Sequence, residues 1–280
     1  MLSMQRIALV IAGVALEIQE DAPDLPVWLT QTCRAFHVSS TAIAHPHPLL
    51  VIHRNPQFAR TEQGLVYELL DAPGSFRIHG FDFTAIRRRC DAPIEIEAHP
   101  EAGMAGVARW LMSLLLLEAE GFMFHAASFA HEGSGIICAG PSGAGKTTLS
   151  RLLLPRSDVA LFTDESTAFR FQGDMAMIYA TPFAGELGPV SGPASAPLET
   201  AFFLKHAPAN SVRRLRAAEV VTNVVGSTFL AVRHGAWIES CFTLAERLAR
   251  SVPCSELGFR PEPNVWETIH DVIQQAVPTT

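Results

Sequence analysis

A mixed α/β domain preceded by a small β-rich region is the architecture that the order of apolar runs predicts. Two observations carry it. From about residue 99 onward, apolar stretches of strand length alternate with stretches at helical spacing, and a glycine-rich segment joins one strand to one helix. Before that point only short apolar runs occur, separated by Pro, Gly and Asp. With 280 residues, 48% of them hydrophobic and 18% charged, the chain can bury a core in one large domain or in a small one plus a medium one. We therefore divide it into a β-rich region at 1–98 and an α/β domain at 99–280.

The first run, "MLSMQRIALVIAGVALEIQ", has the outline of a signal peptide. Its alternation through "LVIAGVALEI" fits a strand better, and the acidic "EDAPD" follows in place of a small-residue cleavage site. "HPLLVIHR", "LVYELL", "SFRIHGFDFTAI" and "PIEIEA" read as further strands. "RRRC" at Arg87–Cys90 is either a solvated strand end or turn, the blander reading, or an anion site. "HPEAGMAG" marks the boundary, and a helix is expected from about Gly103 to Glu120.

The apolar run from Trp110 to Phe124 is interrupted by Glu118 and Glu120 and falls short of the ~20 apolar residues of a spanning helix. It reads as a buried helix feeding a strand, and no membrane association is expected. The net charge of −7 argues against general binding to nucleic acid or to an anionic membrane surface. Five cysteines (Cys33, Cys90, Cys138, Cys241 and Cys254) form no CxxC pair. That usage fits a reduced, cytoplasmic protein and neither a disulfide framework nor a zinc site.

In the second region "GFMFHAASFA" reads as a strand, "HEGSG" as a hairpin turn and "IICAG" as a second strand. A helix follows from Lys146 to about Leu154, stopped by Pro155. Val159 to Thr163 is the next strand. "TAFRF" and "MAMIYA" flank "QGD" as a hairpin, and "TPFAGELGPVSGPASAP" is a long loop. "AFFLKHA" is a buried strand. "LRAAEVVTNVVG", "FTLAERLARSV" and "NVWETIHDVIQQA" are helical by spacing.

Between the strand "GIICAG" and the helix "KTTLSRLLL", residues 140–147 fit G-x-x-x-x-G-K-[ST] in full. Glycines permit backbone angles that turn the N–H groups of such a loop inward, where the positive end of the next helix adds to them. Gly140, Ser142, Gly143, Ala144, Gly145, Lys146, Thr147 and Thr148 are thus the expected nucleotide-phosphate contacts. Lys146 would reach the β- and γ-phosphates of ATP, and Thr147 would hold Mg²⁺ through its hydroxyl.

Phosphoryl transfer needs in addition a group that makes the acceptor nucleophilic. "LFTDES" ends an apolar strand with Asp164 and Glu165, whose side chains project in different directions. They are candidates for metal and acceptor, or else a turn acid or helix cap. His125, in "FMFHAAS", is either a satisfied core residue or part of the site. Glu186, in "TPFAGE", is a metal or acceptor candidate or a surface residue. Arg213, Arg214 and Arg216, at helical or pre-helical spacing, form a solvated face unless one of them compensates transferred charge.

The ordered set "FHAASFAHEGSGIICAGPSGAGKTTLSRLL", "LFTDES", "TPFAGE" and "AFFLKHA…VRRLRAAE" resembles the C-terminal catalytic domain of HPr kinase/phosphorylase. More closely, it is similar to the smaller HPr-kinase-like proteins that include kinases of lasso-peptide precursors. The resemblance covers about residues 100 to 262. It implies a phosphoenolpyruvate-carboxykinase-like α/β fold, a mixed sheet around the phosphate loop, and an ATP- and Mg²⁺-dependent kinase. It implies Asp164 as the general base, Glu165 as the second acid near Mg²⁺, His125 as the neighbour that tunes the base, and Arg214 as a phosphate-compensating cation.

Two features depart from the family pattern. HPr kinases commonly carry two aspartates where this chain has Asp164-Glu165, and the E-[IL]-R-G-x-G signature is replaced by "TPFAGELGP". HPr is therefore not the expected acceptor. A serine of a peptide or protein is favoured, with a small hydroxylated metabolite, or nucleotide binding without transfer, as alternatives. Full-length HPr kinases are hexamers, so a homo-oligomer is a further implication of the resemblance.

Overall fold

The computed structural model describes residues 5–20, 33–38, 49–62, 66–71, 74–188, 194–229 and 235–276. The chain folds as two compact units, Met1–Arg109 and Trp110–Thr280.

The first unit holds β1 (Gln5–Ile11), β2 (Val14–Glu20), a 3-10 turn at Arg34–Phe36, β3 (His37–Val38), β4 (Leu49–Arg54), β5 (Val66–Leu69), β6 (Phe76–His79), β7 (Phe83–Arg87) and β8 (Ile94–Ala98). They form one sheet in the order β3-β1-β2-β4-β8-β7-β6-β5, mixed because β4 runs parallel to both β2 and β8. The first run is a hairpin and not the single strand read from its alternation. Ala12 and Gly13 both adopt positive φ, 54° and 72°, and Ile11 pairs with Val14. That is the left-handed two-residue turn that suits the twist of flanking strands. The "RRRC" segment divides. Arg87 is buried, its Nε donating to Gly74 O at 2.6 Å and its guanidinium lying 4.9 Å from the Phe76 ring centre. Arg88 and Arg89 are exposed and pair with Glu95 and Asp91.

The boundary between the units falls within helix α1 (Met104–Glu118). No helix among the described residues is long and apolar enough to cross a membrane.

The second unit continues with β9 (Gly121–His131), β10 (Ser134–Ala139), α2 (Lys146–Leu153), β11 (Val159–Thr163), β12 (Ser166–Gln172) and β13 (Met175–Tyr179). These are followed by β14 (Ser195–His206), β15 (Ser211–Arg214), α3 (Ala217–Ser227), α4 (Gly235–Ser251), β16 (Cys254–Phe259) and α5 (Val265–Ala276). The sheet is again mixed: β10, β14 and β16 run parallel, and the other pairs are antiparallel. "SVRR", expected at helical or pre-helical spacing, is strand β15, and "CSELGF" is a strand the apolar pattern did not single out. Both are decided by long-range pairing, β15 with β16 across Arg213–Glu256 and Val212–Leu257, and β16 in addition with β14.

Two long strands organise this unit. Strand β9 pairs with β12 along Gly121–His125 and with β11 along Ser128–His131, while its other edge carries β10. Strand β14 pairs with β13 through Ser195–Pro197 and with β10 and β16 further along. Leu149 and Leu153 of α2 and Val265, Trp266 and Ile269 of α5 join Phe129, Ile136, Phe202 and Phe259 in one buried cluster. Phe122 stacks on Phe169 at 4.8 Å between ring centres and meets Phe124 edge-on at 4.6 Å.

All five cysteines are free thiols, and only Cys90 is exposed. Burial pushes Cys33 and Cys254 up to about 12 and raises Cys138 and Cys241 as well. Because the thiolate is the reactive form, one thiol per native chain is expected to react rapidly with Ellman's reagent, and the other four only after unfolding. Fast labelling of two or more would contradict this packing.

Candidate functional site

Strand β10 delivers the glycine loop between β9 and β14, where Ala139 pairs with Ala126 on one side and Phe203 on the other. Within the loop Ala144 N–H donates to Pro141 O at 3.1 Å, and α2 begins with Leu149 N–H on Gly145 O at 2.8 Å. Gly145 has φ 102°, and a Cβ on it would lie 2.5 Å from Cε1 of Phe259. Both the backbone angle and the packing therefore require glycine. Lys146 is buried and donates through Nζ to Gly140 O at 2.9 Å and Pro141 O at 3.1 Å. Desolvation lowers its pKa, while the charges of Glu165 and Asp164 pull the other way. Ser142 and Thr148 are exposed and Thr147 is half-buried. His206, at the end of β14, donates from Nε2 to Gly143 O at 2.9 Å. No motif pointed to it, because only the β14 register brings it to the loop.

The acidic pair lies at the junction of β11 and β12, which occupy the same edge of β9. Between Leu161 and Thr163 the β11 register shifts, a bulge of the kind that re-aims side chains. Thr163 Oγ1 then accepts from Glu165 N at 3.1 Å and Ser166 N at 3.3 Å, which bends the chain. The two acids emerge in different surroundings. Asp164 is 0% exposed within the unit, and Thr147 Oγ1 donates to its Oδ2 at 3.3 Å. Gly185 N donates to Oδ1 at 3.0 Å and Leu187 N to Oδ2 at 3.3 Å. Glu165 keeps 27% of its side chain exposed, and its Oε1 lies 3.3 Å from Nδ1 of His125.

His125 sits at the last residue of the β9–β12 pairing, opposite Ser166, with Phe229 edge-on at 5.4 Å between ring centres. Its Nδ1 is buried and makes no hydrogen bond, so the contact with Glu165 is close in distance but off the hydrogen-bond axis. The resemblance implied that His125 neighbours and tunes Asp164. In the structure the carboxylate beside His125 is that of Glu165.

Two further expectations are relocated. Glu186 points to the surface, 70% exposed, and pairs with Arg151 of α2 at 2.8 Å. The loop's contribution to the acids is made by the backbone of its neighbours Gly185 and Leu187. Gly185 is required there, since a Cβ on it would lie 2.7 Å from Asp164 Oδ2 and 2.9 Å from Cβ of Glu165. Arg214 is exposed and faces Ser255, whereas Ser211 faces Gly258, next to the Phe259 that underlies Gly145. Because β15 runs antiparallel to β16, Arg214 is directed to the end away from the loop, roughly 10 Å along the strand at ~3.3 Å per residue. Arg213 is held by Glu219 at 3.0 Å and Glu256 at 3.2 Å.

Fold and site thus describe a mixed α/β unit in which a glycine loop and an acidic junction flank strand β9, the loop leaving β10 on one edge and the acids lying between β11 and β12 on the other. No family model matches the chain, and no curated protein matches it. Among solved structures it has a distant neighbour, the HPr(Ser) kinase/phosphatase from Coxiella burnetii. The two are 13% identical, over 55% of this chain and 88% of that one, with a TM-score of 0.33.

Proposed function

We propose that the chain is a kinase that moves the γ-phosphate of ATP to a hydroxyl, in the first instance a serine of a peptide or protein. The observation that carries this reading is the convergence of Thr147 and Asp164, 3.3 Å apart at the root of the glycine loop, with a second, partly exposed carboxylate on the next residue. A hydroxyl and a carboxylate are the hard oxygen donors that Mg²⁺ takes when phosphate oxygens and waters complete its shell. No group of three or more His, Cys, Asp or Glu among the described residues could hold a metal without such help. Bound there, Mg²⁺ would supply charge compensation for the transferred phosphoryl group. Lys146, already inside the loop, would exchange its two carbonyl acceptors for phosphate oxygens.

Calorimetric titration of the full chain with MgATP tests the first half. Wild type is expected to bind, and Lys146→Ala to bind roughly 10–100-fold more weakly, the value of one or two charge-assisted hydrogen bonds. Transfer from γ-labelled ATP to serine-containing peptides and to small alcohols tests the second half. A wild type that binds no nucleoside triphosphate would sink the reading. Binding without transfer to any acceptor would leave a nucleotide-binding regulator, and transfer only to small alcohols a metabolite kinase.

A further inference from the structure

Strand β14 outruns its neighbour. Ala139, the last residue of β10, pairs with Phe203, and β14 continues through Leu204, Lys205 and His206 beside the glycine loop, with β16 on its other edge. Side chains two apart on a strand share a face, so Leu204 and His206 lie along one side of this overhang. Leu204 flanks the start of the loop, where a Cβ on Gly140 would lie 3.5 Å from its Cβ. His206 reaches the middle of the loop, its Nε2 donating to Gly143 O at 2.9 Å. The register partner of His206 on β16 is Phe259, the ring that packs against Gly145.

The His206 bond fixes one peptide unit from its second end. The carbonyl of that unit, on Gly143, accepts from His206, and its N–H, on Ala144, donates to Pro141 O at 3.1 Å. Residue type alone would leave the unit loose. Gly143 has φ 81° and open space where a side chain would stand, so no steric contact there opposes rotation. The two holds differ once a triphosphate arrives. Phosphate oxygens are acceptors, so they can draw Lys146 and the Ala144 N–H away from Pro141 O. They cannot replace the donor that Gly143 O receives from His206. That donor also polarises the peptide and strengthens the Ala144 N–H toward any acceptor.

We infer that His206 is a positioning residue for the nucleotide: it holds the Gly143–Ala144 peptide in one orientation, so that part of the ordering a bound triphosphate demands is in place beforehand. Such preorganisation raises affinity by reducing the ordering cost of binding. The inference rests on the nucleotide-binding half of the proposal above and concerns affinity, not the transfer step. A carbonyl oxygen only accepts, so the hydrogen sits on Nε2, and the neutral tautomer that carries it there and the imidazolium both make the bond.

The experiment compares wild type, H206L and H206Q as full chains, each confirmed folded by circular dichroism. Leucine keeps bulk without a donor, and glutamine carries an N–H donor at similar reach. His206 is exposed and is the last residue of β14, so neither substitution enters the core. Two readouts are taken: amide hydrogen exchange of the segment 140–147 without nucleotide, and calorimetric binding of MgATP. H206L is expected to exchange about 2–10-fold faster and to bind MgATP weaker by a similar factor, the worth of one net hydrogen bond. H206Q is expected to stay within about twofold of wild type in both. H206L that exchanges and binds like wild type would overturn the inference. So would faster exchange in H206L with unchanged MgATP affinity, which would make the bond structural only. H206Q as impaired as H206L would overturn it too, since the donated hydrogen would not be what matters. A wild type that binds no MgATP overturns the nucleotide reading and this role with it. That failure is told apart from the others, in all of which the wild type binds.

Discussion

Replacing Gly145 with alanine is expected to destabilise the Trp110–Thr280 unit by about 2–6 kcal/mol and to abolish the nucleotide binding proposed above. Two costs combine. A non-glycine residue at φ 102° lies in a sparsely populated region, at about 1–3 kcal/mol. The new methyl would also meet Cε1 of Phe259 at 2.5 Å and Cδ1 at 2.8 Å, an overpacking that costs typically about 1–3 kcal/mol in a filled core. Phe259 is 2% exposed and lies in the cluster that holds α2 and α5, so the ring has little room to withdraw. Urea unfolding followed by circular dichroism reads the loss. The double variant Gly145→Ala/Phe259→Leu separates the two costs, because it relieves the clash and leaves the backbone angle. A change below about 0.5 kcal/mol in the single variant, the scale of an ordinary surface substitution, would show that the loop is not held as described.

Asp164→Asn should be the second most damaging change, at about 2–3 kcal/mol. The side chain keeps its shape, so the loss isolates what the second carboxylate oxygen does. Gly185 N donates to Oδ1, while Thr147 Oγ1 and Leu187 N share Oδ2. An amide presents one oxygen and one NH₂ group, so in either orientation at least one backbone N–H faces another donor. Leaving a buried donor unsatisfied costs about 1–3 kcal/mol, and the original bonds were to a charged acceptor. The loop at residues 181–188 is then expected to loosen. Denaturant unfolding measures the first effect, and faster proteolysis at Pro182–Leu187 the second. Equal stability and an unchanged cleavage rate would mean that the loop is held without Asp164, by Thr181 Oγ1 on Ser166 O and by the Glu186–Arg151 pair.

How much of this was legible in the sequence depends on how far apart the partners lie. The glycine loop, its strand and its helix are encoded within twenty residues, and the helix start at Lys146 falls where the motif puts it. The "QGD" and "HEGSG" turns were legible for the same reason, since hairpin chemistry is local. The misread segments are those whose local signal is ambiguous. "SVRRLRAAE" has helical or pre-helical spacing, yet its first residues pair with β16, more than forty positions away. "LVIAGVALEI" alternates like one strand, yet Ala12 and Gly13 turn it back on itself.

The same division runs through the site. By itself the sequence determined that residues 140–147 form a glycine loop between a strand and a helix, and that two acids end a nearby strand. These follow from residue type and short spacing. Only the tertiary structure decided that Asp164 turns inward to Thr147 while Glu165 turns to His125, because that depends on a register shift in β11 against β9. It alone decided that "TPFAGE" serves through the amides of Gly185 and Leu187 and not through the carboxylate of Glu186. It alone set Arg214 at the end of β15 away from the loop and His206 beside Gly143. The physical reason is that side-chain direction in a sheet is fixed by strand register and bulges. Those depend on partners far along the chain, whereas turn and helix signals are written in neighbouring residues.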